Sequence, residues 1–408
     1  MRRFFYSLQV LLLSAATFAQ KDSFIFVWGG DDAQKSSDFL AVINANAQSP
    51  DYGKVVASVA VPGAAGKPHH TEAKMPRGGF LLADAFESGQ TSLFDLRQPL
   101  HPRLVTTYGA MHGFMHPHTY TRLPNGHVLA TFQYYGGHEP KSEGGGLVEF
   151  TDKGEFIRAG SAMDPSVKNE PIRPYSVVAM QKINRAVSTN TSMHYPTDGQ
   201  SHTIQIWRLP DLKLLRTIAL PAGPRGTEQL LPGEPRLLRD GKTVLIHTFS
   251  CGLYALEDIG SDSPKVRHVY SFEGERCAVP LQIGHYWIQT LATAKALAAY
   301  DISDLAHIRE VSRVKLNDKQ YPHWVAADIG NRRILLNSGE YGEHRLYVVN
   351  FDPESGELKL DEKFRDAGSD QPGVSMDGKT WPHGFTGDAY GHGAVFSGGN
   401  GESVVKSN

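Results

Sequence analysis

The sequence predicts an all-β protein, a seven-bladed β-propeller in which strands from near the N-terminus complete the last blade. Three observations predict this fold: a composition rich in turn-forming residues, a unit that repeats seven times, and one repeat that is divided between the two ends of the chain. The 408 residues include 41 glycines and 24 prolines, so many turns are expected. A chain with many short strands and Gly/Pro-rich turns is typical of all-β proteins.

Each repeat begins with a short proline-led strand, a turn and a second strand. Seven segments share this pattern, and their first prolines are Pro68, Pro117, Pro174, Pro235, Pro280, Pro322 and Pro382. Their mean spacing is roughly 52 residues, which is typical of four-stranded propeller blades. The repeat therefore predicts seven blades within one domain.

A second motif, two more strands joined by a turn, follows six of the seven segments. Its copies are residues 92–109, 146–160, 203–220, 252–272, 296–316 and 345–364. The segment headed by Pro382 has no such partner, but residues 39–61 near the N-terminus show the missing pattern. Pairing the two would close the ring and remove a free strand edge. We therefore expect residues 39–61 to complete the last blade; an irregular pair of β-sandwiches, the alternative, leaves the divided repeat unexplained.

Residues 1–19 are predicted to be a secretory signal peptide. The basic stretch MRRFFYS precedes a short apolar core, and Thr17 and Ala19 supply small residues before the cleavage site. A first buried strand or helix is the alternative interpretation of this segment. The prediction divides the chain into the signal peptide 1–19, the propeller 20–400 and a flexible tail 401–408, and it implies a periplasmic or secreted protein.

Charge and hydropathy exclude two classes of partner. The formal net charge is −2, so the sequence offers no basic field for binding nucleic acid. The apolar core of the predicted signal peptide is too short to span a bilayer, and no other segment is apolar for long enough. We therefore expect neither a nucleic-acid partner nor a membrane span; the oligomeric state is left open.

The two cysteines, Cys251 and Cys277, lie in adjacent apolar segments that the repeat assigns to one blade. In an oxidising compartment they could form a disulfide. Two buried free thiols are the alternative, and we expect the thiols.

Histidines are concentrated at the starts of the predicted inner strands. The inner strand of each propeller blade lines the central channel, so side chains at these starts meet near one mouth. The candidates for this ring, one blade after another, are His69 or His70, His116 or His118, Tyr175, Glu234 or Arg236, a residue near Val279, His323 and His383. Convergent imidazoles are typical of sites for copper, iron or zinc. We therefore expect an axial metal site; a polar, water-filled channel with structural histidines is the alternative.

The alternation of side chains along a strand narrows the roles within this set. His69 and His70 are adjacent and point to opposite faces of a regular strand, so one of them is expected to face the axis. Glu72 shares the face of His70, so Glu72 is a candidate to orient that imidazole or to transfer a proton, as is Tyr175. His392 is assigned to a turn or an outer strand and receives no role.

Residues 37–72, SDFLAVINANAQSPDYGKVVASVAVPGAAGKPHHTE, resemble the N-terminal signature of the selenium-binding protein family, whose members are also called methanethiol oxidases. In that signature an aspartate-tyrosine-leucine strand, an SPxY turn and a paired histidine follow one another; the corresponding stretches here are SDFL, SPDY and PHH. Further matches are HPHTYTRLPNGHVLATFQ, GGGLVEF, SHTIQIWRLPDLKLLRTIAL, AAYDISDLAHIREV and WPHGFTGD. The similarity covers nearly all of the chain after the predicted signal peptide.

The resemblance implies a propeller that binds a metal through histidines, copper in the bacterial enzymes. It also implies oxidation of methanethiol by molecular oxygen to formaldehyde, hydrogen sulfide and hydrogen peroxide. The family's histidine positions correspond to His69, His70, His118 and His383, and His323 is additional. The family has a cysteine, associated with selenium binding, soon after the paired histidine; the stretch HHTEAKMPRGG has none, so selenium binding through that residue is not expected.

The expected function is that of an exported copper-dependent thiol oxidase acting on a small thiol, because thiolate sulfur is a soft ligand for copper. The expected metal ligands are His69, His70, His116, His118, His323 and His383. Tyr175 and Glu72 are the candidate catalytic residues. One alternative is a non-catalytic propeller that binds a metal or another ligand. Another is a hydrolase of the lactonase kind, which would need acidic Ca²⁺ ligands at a channel that is here richer in histidine.

Overall fold

The computed structural model describes residues 23–63, 65–137 and 143–398. These residues form seven antiparallel blades, six with four strands and one with five, and a separate two-stranded hairpin. The predicted seven-bladed β-propeller is therefore confirmed. The predicted signal peptide, residues 1–19, and the predicted tail, residues 401–408, lie outside the described residues. Among the described residues, no helix is long and apolar enough to cross a membrane.

The strands of blades 1 to 3 follow three strands near the N-terminus. In chain order these strands are β1 (Phe24–Asp31), β2 (Phe39–Asn44), β3 (Val55–Ala60), β4 (Pro68–Thr71), β5 (Phe80–Ala85), β6 (Gln90–Asp95), β7 (Arg103–Tyr108), β8 (Phe114–Arg122), β9 (Val128–Tyr135), β10 (Glu143–Phe150), β11 (Phe156–Ser161), β12 (Pro174–Met180), β13 (Arg185–Asn190), β14 (Thr203–Arg208) and β15 (Lys213–Ala219). Two short helical turns interrupt blade 3, a 3₁₀ turn at Gln181–Ile183 and α1 at Tyr195–Asp198.

Blades 4 to 6 and the end of the chain supply the remaining strands. These are β16 (Pro232–Leu237), β17 (Val244–Thr248), β18 (Gly252–Glu257), β19 (Lys265–Ser271), β20 (Leu281–Ile283), β21 (Tyr286–Leu291), β22 (Ala296–Asp301), β23 (Arg309–Lys315), β24 (Trp324–Ala327), β25 (Arg333–Asn337), β26 (Arg345–Phe351), β27 (Leu358–Leu360), β28 (Val374–Ser375), β29 (Lys379–Thr380), β30 (Thr386–Gly387) and β31 (Ala389–Phe396). Strand β28 adds to the edge of β26, and β29 pairs only with β30.

Within each of blades 1 to 6 the strands run from inner to outer in chain order, as in β4-β5-β6-β7. The middle strands are nearly continuous apolar runs because both of their faces pack against neighbouring blades; β5, FLLADA, is buried at five of its six positions. The outer strand β7, RLVTTY, alternates between exposed and half-buried positions, since one of its faces meets solvent.

The last blade contains strands from both ends of the chain, in the order β3-β2-β1-β31. The predicted closure is confirmed, and residues 39–61 form its two outer strands. The strands that the two ends of the chain contribute differ from the expected ones. β1 also belongs to this blade, where its Phe26 pairs with Val395 of β31. The innermost strand is consequently β31 rather than a strand led by Pro382, which lies between β29 and β30.

Buried tryptophans join the blades that meet at this closure. The indole N–H of Trp28 in the last blade donates to the carbonyl of Asp84 in blade 1, at 2.7 Å. The indole N–H of Trp324 in blade 6 donates to the carbonyl of Ala394 in the last blade, at 2.8 Å. Both rings are at most 3% exposed, so each fills a blade junction and satisfies its one polar atom there.

Cys251 and Cys277 form a disulfide, so the expectation of two free thiols is wrong. Cys251 lies in the turn between β17 and β18 of blade 4, whereas Cys277 precedes β20 of blade 5. Their Cα atoms are 5.0 Å apart, within the range that a disulfide spans. The bond therefore joins two neighbouring blades instead of two segments of one blade.

Candidate metal centre

Four buried histidines from three neighbouring blades converge at the inner strands of those blades. They are His69 and His70 on β4 of blade 1, His323 immediately before β24 of blade 6, and His392 on β31 of the last blade. One nitrogen of each lies within 4.8 Å of the corresponding nitrogens of the others, and no residue of the four is more than 8% exposed. This spacing is compatible with one shared metal ion.

His118, on β8 of blade 2, is the fifth member of this group. Its ring centroid lies 4.3 Å from that of His70 and 4.7 Å from that of His69, and the residue is fully buried. We use the term histidine cluster for His69, His70, His118, His323 and His392 together.

A β-bulge brings both His69 and His70 into the cluster. Pro68 pairs with Ala85 and Thr71 pairs with Ala83, so the two histidines together oppose the single residue Asp84. Their rings stack at 4.1 Å with an interplanar angle of 10°. The expectation that only one of them faces the axis is therefore wrong, because a bulge places consecutive side chains on the same side.

The same bulge recurs at the start of the inner strand in blades 2, 3 and 4. There residues 118–119, 175–176 and 233–234 oppose Thr131, Thr189 and His247 respectively. In all four blades the opposing side chain accepts the N–H of the second bulge residue. The bonds are His70 N to Asp84 Oδ1 (3.1 Å), Thr119 N to Thr131 Oγ1 (3.1 Å), Ser176 N to Thr189 Oγ1 (3.3 Å) and Glu234 N to His247 Nδ1 (2.9 Å). A polar second-strand side chain thus replaces the interrupted ladder bond and fixes the direction of the bulge.

Several imidazole nitrogens of the cluster have no hydrogen-bond partner among the described residues. They are Nε2 of His70, His118, His323 and His392, together with Nδ1 of His69 and of His392. His118 Nδ1 lies 2.7 Å from the carbonyl of Tyr175, so Nδ1 carries the proton and Nε2 keeps its lone pair. Unpaired buried nitrogens are costly, and a metal ion is a partner that they fit.

Burial keeps four of these histidines neutral, His69, His70, His118 and His323. Desolvation and the neighbouring imidazoles lower the pKa of His69 and His70 well below the ordinary value. Burial also lowers the pKa of His118 to about 4, and burial together with His392 lowers the pKa of His323 to about 3. At neutral pH these imidazoles therefore present lone pairs rather than charges, which is the form that binds metals.

Two carboxyl groups lie next to imidazoles of the histidine cluster. Glu340 Oε2 is 2.7 Å from Nδ1 of His392, and Asp84 Oδ2 is 3.8 Å from Nδ1 of His69. Burial raises the pKa of Asp84 well above its ordinary range. Burial also raises the pKa of Glu340, but His392 and His323 outweigh it and hold that pKa well below its ordinary range. Glu340 is therefore the ionised carboxylate that lies against an imidazole of the cluster.

A cavity of about 190 Å³ opens beside the cluster. His69, His323 and His392 form one end of this cavity, and Tyr175 and Phe249 form part of its wall. The ring of Tyr175 lies 4.0 Å from that of His118, so this candidate catalytic residue is beside the cluster. The cavity is large enough for a small organic molecule to reach the imidazoles.

The structure places three of the predicted site residues away from the cluster. His116 packs on Phe86, with its Nδ1 2.7 Å from the Phe86 carbonyl. Glu72 binds Arg122 in a partly buried ion pair at 2.7 Å. His383 lies between β29 and β30, where its Nδ1 is 2.7 Å from Ser58 Oγ and its ring packs on Phe39.

His392 is the cluster member that the sequence interpretation missed. It occupies the inner-strand position that was expected for His383, because β31 and not the Pro382 segment is the innermost strand. The signal that could have found it is the Gly-His-Gly run within an apolar strand. A Cβ at Gly391 would lie 2.4 Å from Val27 Cγ1, and one at Gly393 would lie 2.4 Å from the backbone nitrogen of Thr71. The flanking glycines thus mark a strand that is tightly packed between its neighbours.

Comparisons with known proteins agree with this architecture. No family model matches the chain. The methanethiol oxidase of Hyphomicrobium sp is 23% identical over 375 residues, covering 84% of this chain and 80% of that protein.

Two solved structures share the fold. A hypothetical selenium-binding protein from Sulfolobus tokodaii superposes with a TM-score of 0.71 at 16% identity, covering 93% of this chain and 94% of that one. A putative 6-phosphogluconolactonase from Bacteroides uniformis superposes with a TM-score of 0.60 at 13% identity, covering 92% and 100% of the two chains. At these identities the superpositions show a common propeller architecture.

Proposed function

We propose that this chain, a distant member of the selenium-binding protein and methanethiol oxidase family, is an exported copper-dependent thiol oxidase. The observation that carries the proposal is the histidine cluster: buried nitrogens without partners among the described residues face one another beside a small cavity. The relationship to methanethiol oxidase supports a thiol as the substrate.

The donor set suits a transition-metal ion. The proposed ligands are the five members of the histidine cluster, all of them nitrogen donors, and imidazole is a good ligand for copper, iron and zinc. Copper is the metal that the resemblance to the bacterial enzymes implies. When bound, copper supplies one-electron redox chemistry and a soft site for sulfur.

In this proposal the chain's own residues hold the metal, orient its ligands and shield the site. Glu340 Oε2 lies 2.7 Å from Nδ1 of His392, so Nε2 is the nitrogen of that imidazole proposed to bind the metal. Burial raises the pKa of Tyr175 well above its ordinary value, so its phenol stays protonated and can donate a hydrogen bond in the cavity. Glu72 takes no part, because Arg122 already occupies its carboxylate.

For methanethiol the proposed reaction consumes one molecule of oxygen and one of water per thiol. The C–S bond breaks, the carbon is oxidised by two electrons to formaldehyde, and the sulfur leaves as hydrogen sulfide. Oxygen accepts the two electrons and two protons and becomes hydrogen peroxide, so atoms and electrons balance.

Metal analysis and oxygen uptake test the proposal on full-length protein purified from a periplasm without affinity-tag metals. We expect about one copper per chain, nitrogen hyperfine structure in the EPR spectrum and thiol-dependent production of hydrogen peroxide. Bound metal without oxygen uptake would favour the non-catalytic metal-binding propeller. Failure to take up copper, iron or zinc would rule out the enzyme. N-terminal sequencing of the periplasmic protein tests export, and a start at Gln20 is expected.

A further inference from the structure

The cavity beside the histidine cluster is larger than methanethiol needs. Its volume is about 190 Å³, and a cavity needs only about 10–15 Å³ on this measure to hold one water molecule. Methanethiol has a single carbon and a single sulfur, so it would occupy only a small part of this space. A ligand that fills the cavity must carry a larger group behind its sulfur.

The chemistry of the cavity wall identifies that group. Tyr175 is 1% exposed, and its ring meets that of Phe249 edge-on at 5.4 Å; Leu231, 2% exposed, lies on the same wall. Tyr321 and Tyr341 also line the cavity, with their rings 5.4 Å apart, and Tyr341 is 47% exposed. Thr191, Ser192 and Arg276 form the polar part of the lining. Aromatic rings pack favourably in edge-to-face and offset arrangements, so the aromatic part of the wall suits an apolar aromatic group.

We infer that the substrate class is an arylmethanethiol, a primary thiol whose sulfur-bearing carbon also bears an aromatic ring. This inference rests on the proposed function, since it places the sulfur at the end of the cavity formed by His69, His323 and His392 and the ring against Tyr175 and Phe249. One thiol, one oxygen molecule and one water give one aromatic aldehyde, one hydrogen sulfide and one hydrogen peroxide. The C–S bond breaks, the carbon loses two electrons, and oxygen gains two electrons and two protons.

Ala278 provides a position at which the cavity can be filled without removing any contact. The residue lines the cavity and is 1% exposed, and its backbone N–H donates to the carbonyl of Thr290. Ala278→Leu therefore adds apolar volume inside the cavity while leaving the histidine cluster intact. Ala306→Leu, at an exposed turn, is the matched control. Met193→Phe fills the cavity from a second lining residue, so the inference can still be tested if Ala278→Leu does not fold.

The first experiment measures binding without turnover. Copper-loaded protein is titrated calorimetrically under nitrogen with methanethiol, propanethiol and phenylmethanethiol. Since each buried methylene increases affinity about fourfold, we expect phenylmethanethiol to bind at least tenfold more tightly than methanethiol. Ala278→Leu and Met193→Phe should abolish most of this advantage, and Ala306→Leu should preserve it.

A second measurement is independent of metal and thiol. Toluene, the probe here, is added to copper-free protein and followed by ligand-observed NMR. We expect binding in the wild type and in Ala306→Leu, and loss of binding in Ala278→Leu. Equal or tighter binding of methanethiol, or no toluene binding, would overturn the substrate class even if methanethiol is oxidised. Preferred binding of phenylmethanethiol with no oxygen uptake on admitting air would support the cavity inference and refute the oxidase.

Discussion

Glu340 Oε2 lies 2.7 Å from Nδ1 of His392, at the point where the loop after β25 meets the innermost strand of the last blade. Gly339 precedes this glutamate with a φ of 62°, and a Cβ there would lie 3.3 Å from the same Nδ1. The glycine allows the loop to approach, so the carboxylate of Glu340 lies against the Nδ1 side of the imidazole. A carboxylate in this place is suited to orienting a metal-binding histidine.

We expect Glu340→Gln to weaken copper binding by roughly 10- to 100-fold, the usual cost of losing a carboxylate behind a metal-binding histidine. Competition with a chelator of known affinity measures the effect. Glu357→Gln, at an exposed turn, is the control and should leave affinity unchanged. Equal affinities of the two variants would mean that Glu340 does not orient His392.

His392→Ala and His383→Ala discriminate the observed cluster from the ring expected from the sequence. We expect His392→Ala to lose most of the bound copper, because it removes a buried nitrogen that has no hydrogen-bond partner among the described residues. His383→Ala should keep its copper, since His383 binds Ser58 outside the cluster. Elemental analysis measures the copper content of the two purified variants. Loss of copper from His383→Ala but not from His392→Ala would contradict the assignment of His392 to the cluster.

Thr131 links the bulge of blade 2 to blade 3, because its hydroxyl accepts from Thr119 N and donates to the Tyr175 carbonyl at 2.8 Å. We expect Thr131→Val, which keeps the shape but removes the hydroxyl, to lower the free energy of unfolding by about 2 kcal/mol. Urea titration measures the change. Thr131→Ser should restore most of the stability; failure of serine to do so would indicate that packing of the methyl group, not hydrogen bonding, holds the bulge.

The carboxyl group of Glu228 leads us to expect that the free energy of unfolding falls in acid. Burial raises its pKa, but the N–H groups of Arg225 and the hydroxyl of Ser271 outweigh burial and lower that pKa to about 2. The folded state thus binds this proton less readily than the unfolded state, so the stabilisation is complete above the unfolded pKa of 4.5 and is lost as pH falls toward 2.

We accordingly expect Glu228→Gln to cost about 2 kcal/mol at pH 7, where hydrogen bonds to a charged acceptor are lost. The difference from the wild type should shrink steadily below pH 4.5. Denaturant titrations at a series of pH values test this dependence. A difference that stays constant down to pH 2 would contradict it.

The disulfide between Cys251 and Cys277 closes a sequence separation of 26 residues. Replacing both cysteines by serine should lower the free energy of unfolding by about 3 kcal/mol, chiefly by enlarging the unfolded ensemble. Guanidinium unfolding of the oxidised wild type and the double variant gives the difference. Both cysteines are 0% exposed, so native protein should resist reduction by a small thiol, and rapid labelling of free thiols under native conditions would show the opposite.

The number and order of the blades could be predicted because each repeat consists of apolar runs and turn residues. Both are determined by local structure, so they can be recognised in the sequence. The internal layout of the last blade could not, since a proline before a histidine at 382–383 resembles the other repeat heads but forms a short hairpin here. The pairing of β1 with β31 depends on packing between residues at opposite ends of the chain, and no local pattern specifies it.

The site was predicted in part for a related reason. Placing His69, His118 and His323 near the axis required only the propeller geometry. Bringing His70 in as well depends on a bulge, and the bulge depends on Asp84 in the following strand, which the alternation rule does not consider. The cysteines lie in different blades, so their separation in space could not be inferred from the assignment to one blade.

The position of β31 also determines when the histidine cluster can exist. This strand is the innermost of its blade, pairs with β1 and carries His392. The ring cannot close until β31 has paired with β1, and until then the cluster lacks His392. Closure of the propeller and completion of the cluster are therefore a single event, and a partly folded chain with an open ring holds only four of the five histidines in blades that are already formed.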